Sequence, residues 1–211
     1  MMDTCIPTHG DHVDLIHRPA MYNIDGLRIC APSGVYHPHA ESSTRMVLAA
    51  LPDVSGLDVL EIGAGTGAVA MTARERGAAR VVATDISERA CAAMECNALI
   101  NGLDIDVRHG DLFAPCEGER FDLVIFNLPL MDKPVENDAE LALCDPQGEL
   151  LERFLLQLPS VVRDGGLALF THSDMSAPLP LLPVGAEVQP RIQLVRRRAD
   201  GNLVRVLWWR P

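Results

Sequence analysis

Apolar residues in this chain gather into short runs, and the stretches between them repeat with helical period. Residues 57–62 and 80–85 read as strands flanking a helix over 66–76. Ser87 is placed to cap a second helix, which runs to Asn101 and stops at Gly102. A strand over 105–108, ending near Asp111, precedes another over 121–127. A helix over 147–162, closed by Gly165 and Gly166, leads to a fifth strand over 167–171. Such alternation implies a mainly parallel sheet with helices on both faces. Upstream, residues 41–51 put Val47, Leu48 and Leu51 on one helix face, with Ser42 or Ser43 as cap. Pro38 forbids an earlier start.

The two ends depart from this rhythm. Residues 1–35 are polar and poorly periodic, and support at most a strand or hairpin around 27–30. Residues 172–185 carry Pro178, Pro180 and Pro183, which no useful length of helix tolerates. Two β-like runs follow, 191–196 and 203–209, joined across Asp200-Gly201 as a hairpin. Trp208 and Trp209 alternate on the second run, so one packs inward and the other meets solvent or a partner. The reading is one domain over 1–211: an N-terminal segment, 1–40, placed to act as a lid, and a Rossmann-like core over 41–211.

Composition narrows the class. With 48% hydrophobic and 22% charged residues in 211, the chain is globular and long enough for a sizeable core. A net charge of −11 argues against an unaided grip on phosphate backbones, so nucleic acid is disfavoured as a partner. Six cysteines, at 5, 30, 91, 96, 116 and 144, form no CxxC pair and read as reduced thiols of a cytoplasmic protein. The start has no signal-peptide core, and nowhere do 18 apolar residues run together, so no membrane role is expected. Oligomeric state stays open.

The chemistry concentrates at VLEIGAGTG, residues 59–67, where an apolar run breaks into Gly63, Gly65 and Gly67 with Glu61 at the strand end. RVVATD then ends the next strand on Asp85. A tight glycine turn lets a cofactor approach the backbone, and an acid at the tip of the next strand accepts ribose hydroxyls. Gly63, Gly65 and Ala68 also satisfy the dinucleotide pattern, which keeps an NAD-dependent reductase in view. Against it, Glu61 would meet a pyrophosphate with unwelcome negative charge. A cationic sulfonium suits this acid-lined turn better, so the cofactor reading is S-adenosylmethionine. A glycine turn in a non-binding domain, or a cofactor-binding protein without transferase activity, is the plainer alternative.

Asp111, in HGDLF, is placed beside the adenine, with a helix N-cap as its plainer reading; Asp85 likewise could cap the helix at Ser87. Asn127 ends the strand FDLVIFN ahead of Pro129 and is the residue expected to carry the reaction, with a strand-end turn as the alternative. Its amide oxygen and the carbonyl of Leu128 would accept both hydrogens of one –NH2 group, orienting the nitrogen lone pair without a strong base. His9, His12, His37 and His39 lack partners to complete a metal site and read as loop residues. Arg196, Arg197 and Arg198 read as a solvated edge.

The order GVYHPHAESS (34–43), LEIGAGTG, ATD, GDLF, NLPL, LALCDPQGELLERF (141–154) and RRRADGNLVRVL resembles HemK/PrmC-type class I methyltransferases. The resemblance covers residues 34–209. It implies a seven-stranded, mostly parallel sheet with a C-terminal antiparallel hairpin, and transfer of a methyl group to nitrogen, on glutamine in release factors or on a base in some relatives. It implies cofactor contacts at Ser42, Glu61, Gly63, Gly65, Asp85, Asp111, Leu112 and Asn127. It places Tyr36, Asn127, Leu128 and Leu130 on the acceptor. The family's Asn-Pro-Pro-Tyr/Phe is Asn127-Leu128-Pro129-Leu130 here, which keeps the carbonyl and loses the aromatic face; Glu41 replaces an Asp, and the family's N-terminal helical domain has no counterpart. These departures shift the expected acceptor slightly toward a small molecule over a protein or peptide side chain. Methylation of nucleic-acid bases comes third, for want of a stacking platform.

Overall fold

The computed structural model describes residues 15–180, 190–197 and 201–210. Cys5, His9, His12, Pro183, Arg198 and Asp200 lie outside the described residues. The elements follow the expected alternation: β1 (Ala20–Ile24), β2 (Leu27–Ala31), α1 (Ser43–Ala50), β3 (Asp58–Ile62), α2 (Ala68–Glu75), β4 (Arg80–Asp85), α3 (Glu88–Asn101), β5 (Asp106–His109), β6 (Phe121–Phe126), α4 (Glu149–Val161), β7 (Val162–Ser173), β8 (Arg191–Arg197) and β9 (Leu203–Trp209). Seven strands form one sheet in the order β5-β4-β3-β6-β7-β9-β8. The first five are parallel neighbours, while β9 runs antiparallel to both β7 and β8. The chain reverses its direction of travel across the sheet between β3 and β6, and such a reversal opens a crevice at the carboxyl ends of the strands.

Strand alternation divides the core into two layers. Val59, Val81, Leu123, Leu169 and Val206 pack with Met46 and Val47 of α1, Val69 and Met71 of α2 and Met94 of α3. Leu60, Val82, Val124, Phe170 and Leu207 pack with Phe154 and Leu158 of α4 on the other face. Phe154 is wholly buried and meets the rings of Phe113, Phe126 and Phe170 at centroid distances of 5.7, 5.2 and 5.7 Å. Burying a side chain of this size stabilises by about 1.5–3 kcal/mol, and it locks α4 under the end of β6. Trp209 is buried in this second layer, while Trp208, on the opposite face, packs against the first layer and stays partly exposed.

The N-terminal residues have more core than their polarity suggests. Ile24, Leu27 and Ile29 of the β1–β2 hairpin are buried in the first layer. The open edge of β2 is paired by side chains of α3: Asn97 Oδ1 accepts from Cys30 N at 2.8 Å and its Nδ2 donates to Cys30 O at 2.9 Å. One turn later Asn101 does the same with Arg28, at 2.9 and 2.8 Å. Two asparagines four residues apart lie on one helix face, which here imitates a strand.

The junction between α4 and β7 differs from the pattern-based expectation. Helix α4 passes into β7 without a loop, so Gly165 and Gly166 lie inside the strand, at a register shift between Phe121 and Leu123 of β6. A Cβ on Gly166 would come within 2.9 Å of Asp122 O, so the bulge needs glycine. Residues 177–180 are irregular, in keeping with their prolines. The described cysteines are free thiols. No helix among the described residues is long and apolar enough to cross a membrane. His37 and His39 are buried loop residues, and no metal-ligating group of three occurs among the described residues. On the exposed edge strand β8, Arg196 reaches Glu41 at 3.2 Å and Arg197 caps Gly201 O at 3.1 Å.

Candidate active site

The glycine turn between β3 and α2 has left-handed backbone at Gly63, Gly65 and Gly67, with φ of 56°, 57° and 75°. A Cβ at Gly63 would lie 2.8 Å from Phe126 Cε2, and one at Gly67 would lie 2.7 Å from Met94 Cγ. Those two glycines are demanded by packing as well as by φ. At Gly65 the nearest atom would be Val35 Cγ1 at 3.8 Å, so this backbone is open to a ligand.

Asp85, at the tip of β4, holds the turn. Its Oδ2 accepts from Gly65 N at 2.8 Å and its Oδ1 from Ser87 N at 2.9 Å. Ser87 Oγ, not Asp85, caps α3 by accepting from Ala90 N. Burial raises the Asp85 pKa, against the pull of the Ser87 and Gly65 N–H groups. Each carboxylate oxygen keeps a second lone pair for hydroxyl donors.

Glu61 follows from strand alternation. The face of β3 that carries Val59 also carries Glu61, and that face meets the start of α2. The carboxylate accepts from Ala70 N at 2.7 Å, capping the helix from a neighbouring strand. It is 2% exposed. Burial, with the Asp85 charge adding, pushes its pKa up to about 8.

Asn127 follows the last residue of β6. Its Nδ2 donates to Thr44 Oγ1 of α1 at 3.3 Å, and its Oδ1 accepts from Thr171 Oγ1 of β7 at 3.3 Å. The same Thr171 hydroxyl lies 3.4 Å from Leu128 O. Leu128 and Leu130 are buried, and Leu130 O accepts from Ser173 and Ser176.

These parts line one cavity of about 310 Å³. Along the sheet edge, the order β5, β4, β3, β6 sets Asp111, Asp85, Glu61 and Asn127 side by side. Gly63, Gly65, Leu112, Tyr36, Leu128 and Leu130 also contribute to the wall. Leu112 does so with φ of 46°, a conformation that costs a non-glycine residue about 1–3 kcal/mol and clusters at ligand sites. Asp111 caps no helix with its side chain; its carboxylate pairs with Arg153 of α4, which shares the wall.

One expected residue falls elsewhere. Ser42 is fully buried, off the cavity wall, and its hydroxyl donates to His39 O at 2.7 Å. The next two residues, Ser43 and Thr44, face the cavity instead. Pattern reading also passes over Thr171, Arg153 and Asp145. Asp145 accepts from Leu150 N and Leu151 N at 2.8 and 3.0 Å and so caps α4. Its signal is an acid shortly before the Gly148 turn and the helix. Arg153 and Thr171 have no local signal, because their partners lie 42 and 44 residues away.

Comparisons with known proteins agree with this architecture. The methyltransferase small domain family matches residues 26–152. A relative in Methanocaldococcus jannaschii, named a protein N5-glutamine methyltransferase, is 31% identical over 176 residues, covering 79% of this chain and 88% of that protein. The release factor glutamine methyltransferase of Xylella fastidiosa is 34% identical over 173 residues, and the chain spans 57% of its length and is itself covered to 79%. Among solved structures, the ribosomal protein L11 methylase of Lactobacillus delbrueckii superposes with a TM-score of 0.60 at 26% identity, over 81% of this chain and 80% of that one. The glycine turn, the acid at the end of β4, the strand order and these matches converge: the chain belongs to the methyltransferase small domain family, as an S-adenosylmethionine-dependent methyltransferase of HemK/PrmC-like type.

Proposed function

We propose that the protein transfers a methyl group from S-adenosylmethionine to the amide nitrogen of a glutamine-like side chain in a protein or peptide. The observation that carries this reading is the pair Asn127 Oδ1 and Leu128 O, two acceptors close enough to share one hydroxyl beside the cavity. A primary amide presents two N–H donors, and two fixed oxygens are what orient it. The names of the Methanocaldococcus and Xylella relatives support the same acceptor.

The residues present suit the cofactor. The Gly65 backbone leaves room for close approach, Asp85 has lone pairs left for two ribose hydroxyls, and Glu61 offers a carboxylate to an ammonium group. Asp111 and Leu112 would border the base. When bound, the cofactor would supply an electrophilic methyl on sulfur; the S–CH3 bond would break as the N–CH3 bond forms, with the demethylated sulfide as leaving group. The nitrogen would give up one of its two hydrogens as a proton, through the hydrogen bonds to Asn127 Oδ1 and Leu128 O, to solvent as the methylated product departs. Asn127 and Leu128 hold the acceptor nitrogen by its hydrogens, which turns its lone pair away from the two oxygens. An amide lone pair is delocalised into the carbonyl, so this orientation accounts for more of the barrier than any base would; positioning of this kind contributes up to about 7–11 kcal/mol. The buried walls of Leu128 and Leu130 exclude water.

A small-molecule amide is the second reading, favoured by the aliphatic Leu130 after Pro129 and by the aliphatic wall of Met131, Val135 and Leu143, against which Tyr36 packs. A nucleic-acid base is disfavoured by the net charge of −11, and free thiols suit a cytoplasmic setting. Incubation with isotope-labelled S-adenosylmethionine and cell extract, followed by mass spectrometry, should find label on a side-chain amide nitrogen. Label on oxygen or carbon, or cofactor binding with no transfer in any fraction, would overturn the proposal.

A further inference from the structure

We infer that Thr171 and Thr44 are the positioning residues of the methyl-acceptor site, with Thr171 fixing the spacing of the two oxygens that receive the acceptor nitrogen; this rests on the amide reading above. The two threonines bracket one side chain from opposite elements. Thr44, on α1, takes the Nδ2 end of Asn127 at 3.3 Å. Thr171, on β7, meets the Oδ1 end at 3.3 Å. An unbraced Asn amide turns about its terminal bond over a broad, nearly two-fold range. Braced at both ends, the amide plane is defined.

Thr171 does more than brace. Its hydroxyl also lies 3.4 Å from Leu128 O, so one donor is shared between a side-chain oxygen and a main-chain oxygen. Each carbonyl oxygen has two lone pairs. Thr171 occupies one lone pair on either oxygen from behind, and the second on each stays free for an incoming N–H. The position of Thr171 supports this division of labour. It is 1% exposed and absent from the cavity wall, whereas Thr44, Asn127 and Leu128 are on it. Thr171 therefore acts through the oxygens it holds and does not touch the acceptor. Its own backbone is fixed by antiparallel pairing with Val206 of β9, so the anchor belongs to the rigid sheet and not to a loop.

The test uses the full chain with S-adenosylmethionine and, as acceptor probe, N-acetylglutamine methylamide. Thr171→Val keeps the shape and removes the hydroxyl; Thr171→Ser keeps the hydroxyl. For Thr171→Val, kcat should fall about 10- to 100-fold, the scale of a displaced reacting group, with cofactor Kd within about 2-fold. Thr171→Ser should return kcat to within about 3-fold of the parent. Equal loss in both variants would assign Thr171 to packing and overturn the inference, as would unchanged kcat in the valine variant. Side-chain NMR of Asn127 supplies a readout independent of turnover. The two Nδ2 hydrogens should be distinct, the one directed at Thr44 protected from exchange in the parent, and that protection should drop at least about 10-fold in Thr44→Val. Absence of that protection in the parent would overturn the brace. A parent enzyme that leaves the amide probe unmethylated while Asn127 is protected would count against the amide reading and not against the brace.

Discussion

Replacing Glu61 with glutamine should stabilise the fold while weakening its grip on the cofactor, and both effects should depend on pH. Glutamine keeps an oxygen for the Ala70 N–H, which Glu61 accepts at 2.7 Å, and removes the ionisable group. Folded Glu61 has its pKa pushed to about 8 by burial and by Asp85, against 4.5 for the unperturbed side chain. The folded state therefore holds a proton that the unfolded chain releases throughout that window. Stability from this group is fully present below about pH 4.5 and is lost as pH rises through about 8. Each pH unit inside the window costs about 1.4 kcal/mol, so the loss reaches about 5 kcal/mol at its ceiling. Urea unfolding of the cofactor-free protein measures it. The two proteins should be of similar stability near pH 5, with glutamine gaining steadily to pH 8. Cofactor binding should run the other way: the parent tightens by up to tenfold per unit as Glu61 ionises, and the variant stays flat. A stability gap independent of pH, or one that closes as pH rises, would refute the reasoning.

Asp85→Asn should cost about 1.5–3 kcal/mol of cofactor affinity by calorimetry, the value of hydrogen bonds to a charged group, and NAD should not bind either protein. Asn127→Ala should leave cofactor affinity within a few-fold and lower turnover by about 10²–10³, the scale of losing one preorganised polar contact. Asn97→Ala strips partners from Cys30 N, Cys30 O and Thr66 O, and urea unfolding should show a loss of at least about 2 kcal/mol, since buried unpaired groups cost about 1–3 kcal/mol each. If the N-terminal segment closes over the cofactor, hydrogen exchange should slow across residues 30–45 on binding; protection confined to the glycine turn would remove the lid.

Those positions differ in how plainly the chain announces them. Strands β3, β4 and β6 are buried on both faces, so their apolar runs are continuous and stand out. Gly63, Gly65 and Gly67 stand out because left-handed backbone and close packing at Phe126 and Met94 leave little alternative. The β1–β2 hairpin is obscured, because its outward residues mix the apolar Met21 with Asn23 and Arg28, and its open edge is completed by Asn97 and Asn101 of α3, a pairing across some 70 residues that no local window contains. The junction of α4 with β7 is obscured for another reason: Gly165-Gly166 carries the same signal for a helix stop as for a bulge. Ser42 shows the limit of carrying a role across by order of motifs. Helix α1 begins at Ser43, yet the two residues from Ser42 to Thr44 turn the side chain from the interior to the cavity.

The acids of the site are legible for a reason that also complicates their interpretation. Glu61, Asp85 and Asp145 each accept backbone N–H groups at the start of a helix or at the glycine turn. A parallel sheet with its helices returning from the carboxyl edge puts helix N-termini, which need acceptors, where a crevice already exists. The carboxylates that complete those helix starts and the glycine turn thus line the cavity, and burial holds all three pKa values up. Under the proposed reading, alanine at Glu61 or Asp85 removes a backbone acceptor and a cofactor contact together. Amide substitution separates the two at Glu61, whose one engaged oxygen it preserves for the backbone while deleting the charge; at Asp85 and Asp145, where both oxygens accept backbone N–H groups, it also turns one acceptor into a donor. For Glu61 this separation predicts effects of opposite sign on stability and on affinity, a pairing that neither a purely structural acid nor a purely ligand-binding one would produce.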